Sequence, residues 1–165
     1  MLDVQSHRQQ PGFCGPASLK MLLGFYGLEY SEDKLGELAG CTPERGVTGF
    51  DIVAAAEKIG LAGFVRDFSD LKDIDSFLNR ETPVIVEWFS EDDSHFSVVV
   101  KIDEIFVYLQ DPELAGLRKI EIETFLRIWF SFDSQGKVMR KKEDLILRRM
   151  IVIEKKQTTI EDPKC

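Results

Sequence analysis

Leu19, Leu22, Leu23 and Tyr26 recur at the three- and four-residue spacing of one helical face, so Gly15–Tyr26 is predicted to be an amphipathic helix with Gly27 as its stop. Ser31–Leu38 reads as a second, shorter helix: Ser31 can cap it, and the acids of SEDK fall in the first turn, where the helix dipole favours them. A third helix is predicted from Thr48 or Gly49 to Ile59, because DIVAAAEKI is rich in helix formers and Gly60 follows. Gly46 and Gly49 make the connection ahead of it flexible or tightly turned, a loop able to shape a cleft. Beyond Gly60 the pattern changes. Gly63–Phe68 reads as a short strand, Leu71–Leu78 as a fourth helix and Pro83–Phe89, PVIVEWF, as a mostly apolar strand. His95–Ile102 and Glu104–Gln110 read as two antiparallel strands joined around Asp103 and Glu104. Ile122–Phe130 is predicted as another helix and Leu145–Ile153 as a late strand. A helical first half and a sheet-rich second half make an α+β pattern.

Composition narrows the class without naming a function. With 165 residues, 44% of them hydrophobic, the chain can bury a core without metal or disulfide staples, as one domain over 1–156 and a polar tail over 157–165. A net charge of -8 argues against a general nucleic-acid binder, whose phosphate contacts need a cationic surface. The basic tract Lys137, Arg140, Lys141, Lys142, Arg148 and Arg149 reads as a solvated loop leading into a strand with a charged outer face. The start, MLDVQSHRQQ, lacks a signal-peptide pattern, and no 18-residue apolar run is present to span a bilayer. Three cysteines, Cys14, Cys41 and Cys165, do not make an even-numbered secreted scaffold, so a reducing cytoplasm is expected. There is no CxxC, HExxH, P-loop or dinucleotide motif, so neither a metal nor a cofactor is expected.

The chemistry concentrates at PGFCGPASLK, where Cys14 stands between glycines and a proline at the head of the first helix. Two readings are open there. Free cysteines are readily buried as small apolar groups, yet the unpaired N–H groups and dipole of a helix start favour a thiolate nucleophile. Gly12 and Gly15 would let a substrate backbone come close. Cys41 and Cys165 have no comparable surroundings, and His7 lies in the polar amino-terminal arm. His95, in contrast, opens an apolar strand directly after EDDS, an acidic stretch able to border a cleft. If its strand and the next form a hairpin, Asp111 returns toward it. A thiol, an imidazole and a carboxylate are what a cysteine hydrolase needs: a nucleophile, a base to take its proton, and a group to orient that base.

These segments, QQPGFCGPASLKMLLGFYG, RGVTGFDIVAAAEKIGLAG and HFSVVVKIDEIFVYLQDP, resemble successive signature regions of papain-like cysteine peptidases of family 39, the bacteriocin-processing, double-glycine leader-peptidase type, and their stand-alone relatives. The resemblance covers roughly Gln9 to Pro112 and implies the papain-like fold, with helices packed on an antiparallel sheet. It implies Cys14 as nucleophile, His95 as general base and acid, and Asp111 as the orienting carboxylate. It also implies an oxyanion-hole glutamine paired with the Cys14 backbone N–H. Gln9 is the preferred match and Gln10 the rival, the usual position six residues before the cysteine being Arg8 here. The expected reaction is hydrolysis of peptide bonds, in some relatives after paired glycines. A weakly active peptide-binding module and a thiol acyltransferase or amidase are the alternatives. Gly12, Gly15, Gly46, Thr48 and Trp88 are expected around the cleft, with Phe89 and Trp129 as further aromatic candidates. The expected partner is a peptide or protein; association with a peptide exporter comes only from the resemblance.

Overall fold

The computed structural model describes residues 1–91, 93–132 and 139–156; Asp92, Lys137, Cys165 and the expected tail 157–165 lie outside them. Three helices come first: α1 (Cys14–Phe25), α2 (Glu32–Ala39) and α3 (Gly49–Lys58). Local chemistry sets their starts. The Ser31 hydroxyl accepts the Lys34 N–H ahead of α2, and Thr48 and Asp51 form a reciprocal capping box at α3. Strand β1 (Leu61–Arg66) leads to α4 (Leu71–Leu78), which Asp70 and Asp73 cap in the same reciprocal way. Then follow β2 (Val84–Ser90), β3 (Asp93–Ile102), β4 (Phe106–Asp111), β5 (Gly116–Glu121), α5 (Ile122–Ile128), β6 (Phe130–Phe132), β7 (Leu145–Leu147) and β8 (Arg149–Lys155).

Six of these strands form one antiparallel sheet in the order β1-β8-β2-β3-β4-β5, and β6 pairs with β7 apart from it. Side chains alternate across the pleat, and here both faces are covered. Ile85, Phe96, Val98 and Ile151 meet α1, α2 and α3 through Leu19, Leu22, Leu35 and Ile52. Val84, Val86, Trp88 and Val99 meet α4 and α5 through Ile74, Leu78 and Phe125. Because both faces are buried, β2 reads as a nearly unbroken apolar run rather than an alternating one. The fold is α+β, helices packed on an antiparallel sheet.

Three stretches differ from the sequence expectation. GLRKIE, with no predicted element, is the edge strand β5; only one neighbour covers it, so it tolerates exposed charge. The expected strand Leu145–Ile153 breaks at Arg148, whose φ is 51°; β7 stays with β6 while β8 enters the sheet between β1 and β2. Arg149 at the start of β8 is buried instead of lying on a solvated face. It is paired across the ladder with Glu87 of β2, and its guanidinium bonds to both Glu87 and Asp67. The helix from Ile122 ends at Ile128, giving way to β6.

Candidate active site

Cys14 is the first residue of α1. The residue before it, Phe13, provides no side-chain cap, unlike Ser31, Thr48 and Asp70 at α2, α3 and α4. The Ala17 N–H bonds back to the Phe13 carbonyl at 2.9 Å and Pro16 has no N–H, so the first-turn donors without an intrahelical partner are those of Cys14 and Gly15. Among the described residues, the helix therefore opens with two N–H groups that make no main-chain bond, beside a half-buried thiol.

The sheet brings an imidazole to that thiol and a carboxylate to the imidazole. Register places Trp88 of β2 opposite His95 of β3, and Val99 opposite Leu109 of β4, so Trp88, His95 and Asp111 share one face. Asp111 reaches diagonally to His95, whose Nε2–H donates to Oδ1 at 2.8 Å. Nδ1 is thereby left for the Cys14 side chain. Burial works against charge on the imidazole, but the hydrogen bonds and negative charge of Asp111 and Cys14 outweigh it and push His95 up to about 9. Burial likewise opposes charge on Asp111, which nonetheless lies below the usual carboxylate range because His95, the Glu113 N–H and Arg118 all donate to it.

The two glutamines part company. Gln10 is exposed and its amide donates to Asp33 at 2.7 Å, while its main-chain N–H bonds to Glu32. Gln9 donates its backbone N–H to the Pro112 carbonyl at 2.9 Å, directly after Asp111. Its Oε1 is buried and without a partner among the described residues. Arg8 fastens the same turn, donating to the carbonyls of Glu113 and Leu114. His7 is engaged with Glu32 at 2.7 Å. Cys41 points its thiol to the Gly12 carbonyl; burial first, and then the neighbouring charge of Cys14, push it up to about 11, leaving it a thiol at neutral pH.

A cleft of about 370 Å³ runs from Cys14 past Gly12, Gly46, Val47 and Thr48. Gly12 adopts φ 77°, and a Cβ there would meet the Pro43 carbonyl oxygen at 2.6 Å, so the stretch of chain before Cys14 and the loop wall are in close apposition. Phe50, Phe89, Phe96 and Phe132 make the cleft aromatic, and Asp93 of the acidic stretch borders it. Its polar end is Glu87, which accepts from Ser94 and Ser131 and is ion-paired to Arg149; burial pushes Glu87 up despite these donors. Trp88 is not in the lining. It is 2% exposed, its ring meeting His95 edge-on at 5.6 Å, so it backs the imidazole from within the core. Gly15 and Trp129 are also buried, where Val47 and Phe125 respectively press on them.

The family profile of the peptidase C39 family matches residues 4–132. The chain belongs to the peptidase C39 family. Membership makes it a cysteine peptidase by class. Among relatives of this C39 peptidase is an uncharacterized protein of Methanothermobacter marburgensis, 33% identical over 140 residues, covering 83% of this chain and 89% of that protein. Among solved structures, the peptidase domain of Streptococcus ComA, a bi-functional ABC transporter of a quorum-sensing pathway, superposes with a TM-score of 0.73 at 22% identity, over 92% of this chain and 98% of that one. A double glycine motif protease from an AMS/PCAT transporter, in complex with its leader peptide, gives a TM-score of 0.65 at 20% identity, over 92% and 90%.

Among the described residues, ligand atoms of His95, Asp111 and Glu113 of this C39 peptidase lie within 4.8 Å of one another, the spacing a metal ion would need. The donors do not suit one: both Asp111 oxygens are engaged, one of them by the Arg118 cation, which opposes a second cation. Two groups escaped the sequence reading. Arg118 sits on the unpredicted strand β5, and Glu87 lay inside an apolar run with nothing in its spacing to mark it.

Proposed function

We propose that this C39 peptidase hydrolyses peptide bonds with Cys14 as nucleophile, His95 as proton carrier and Asp111 as the carboxylate that fixes the imidazole. The observation that carries this reading is His95, held by Asp111 at 2.8 Å with its other nitrogen toward the thiol at the head of α1. The Cys14 sulfur attacks the scissile carbonyl carbon while its proton rests on His95. The oxyanion takes the Cys14 N–H and the side-chain amide of Gln9, a residue tied by its backbone to the turn after Asp111. The imidazolium then protonates the departing amine, and a water deprotonated by the same ring releases the acyl group from sulfur.

The proposed substrate is a peptide cleaved after small residues such as Gly-Gly. The double glycine motif protease with its bound leader peptide supports that class. The close-set backbone at Gly12 and Pro43 beside Cys14 supports small residues next to the cut. The ComA likeness supports an exporter-associated peptide as the source, and the two cysteines among the described residues, both unpaired there, suit a reducing cytoplasm. The test is hydrolysis of a peptide library containing Gly-Gly sites. Cleavage lost at least about 10³-fold in Cys14→Ala is expected; equal turnover by the variant would overturn the assignment.

A further inference from the structure

We infer that Arg118 is a positioning residue for this site, holding the Asp111 carboxylate ionised and turned toward His95. The inference rests on the reading of Cys14, His95 and Asp111 given above. Asp111 is wholly buried, and its two oxygens are divided between partners. Oδ1 receives His95 Nε2 at 2.8 Å and the Glu113 N–H at 2.9 Å; Oδ2 receives Arg118 Nε at 2.5 Å. A carboxylate shut away from water favours its neutral form unless cations face it; the His95 imidazolium is one, and Arg118 is the one that stays when the ring gives up its proton.

The ladder explains why the arginine arrives there. Arg118 of β5 stands opposite Leu109 of β4 and so shares the face of Asp111, lying diagonal to it as Asp111 lies diagonal to His95. The guanidinium is held at both ends: its carbon is 5.4 Å from the centre of the Trp88 ring, the same ring that backs His95. Its side chain is a quarter exposed while that of Asp111 is not exposed at all, so the arginine closes the carboxylate off from solvent. The other charged groups facing the pair offer Oδ2 no substitute. Cys14 on α1 and Glu113 after β4 are acids, and Arg8 of the amino-terminal arm is bonded to main-chain carbonyls.

The pH profile of Cys14 alkylation by iodoacetamide, read separately from Cys41 by peptide mass spectrometry, tests this without a known substrate. Wild-type Cys14 reacting far faster than Cys41 at pH 7 supports the site itself; equal, slow labelling of both would overturn the site and Arg118 together. With fast wild-type labelling, Arg118→Met is expected to move the profile up by about half a pH unit or more, and Arg118→Lys to restore most of that shift. In an Asp111→Asn background the Arg118→Met shift should vanish, because the arginine acts through that carboxylate. A profile unmoved in Arg118→Met, or a full shift persisting in the Asp111→Asn background, would overturn the inference and leave the site standing. Circular dichroism verifies folding; should Arg118→Met not fold, Arg118→Gln carries the same expectation.

Discussion

His95 carries a protonated ring in surroundings that by burial alone would strip it, since the bond to Asp111 and the facing thiol reverse the cost of desolvation. Activity that needs the imidazolium should therefore persist through neutrality and fall as pH rises through about 9, which a kcat/KM profile will show. Stability follows the same sign. The folded value lies above the ordinary 6.5, so the contribution is complete below pH 6.5 and disappears as pH climbs through about 9. The difference in unfolding free energy between wild type and His95→Gln is expected to be on the order of 3 kcal/mol at pH 6 and to close by about pH 10. Much of this was legible in the chain. A cysteine set among glycines and prolines at the head of a helix, and a histidine and an aspartate at the open ends of one hairpin, announce themselves by position. The preference for Gln9 over Gln10 comes from the resemblance and not from local chemistry, because adjacent residues of one polar arm differ only in which way the backbone turns them.

Helices were easier to read than strands because their caps are local: Ser31, Thr48 and Asp70 each bond within three residues of themselves. The strands depend on distant neighbours. GLRKIE has the charge of a loop until β4 lies beside it, and the break at Arg148 rests on a positive φ that no glycine signals. Arg149 shows the same limit, being a surface residue by type and a buried one by register. Its removal should be severe. Arg149→Met leaves Glu87 without its cation in a buried place, and urea unfolding is expected to show a loss of roughly 3–5 kcal/mol, smaller at acid pH where Glu87 can take a proton. At α1 the tight position is Gly15, where a Cβ would collide with the Val47 side chain. Gly15→Ala should cost about 1–3 kcal/mol in spite of alanine's better helix propensity, and the same melts will measure it.

Across the whole molecule, the proposed nucleophile belongs to the helical layer and its base and carboxylate to the sheet, with the amino-terminal arm crossing between them. That arm is fixed at several points: the Leu2 N–H on the Val100 carbonyl, Val4 in the core, Gln9 on Pro112 and Arg8 on the turn after it. Arg8→Ala should therefore lower kcat/KM several-fold through Gln9 while changing unfolding free energy by only about 1 kcal/mol, a split that paired kinetic and denaturation measurements can resolve. The division between layers has a further use. Neither layer alone can assemble the thiol with its imidazole, so fast alkylation of Cys14 dates the moment when preformed helices seat against the sheet. Pulses of iodoacetamide during refolding would time that docking event, and an expanded acid form that keeps its helices would be exposed as undocked by a sluggish thiol.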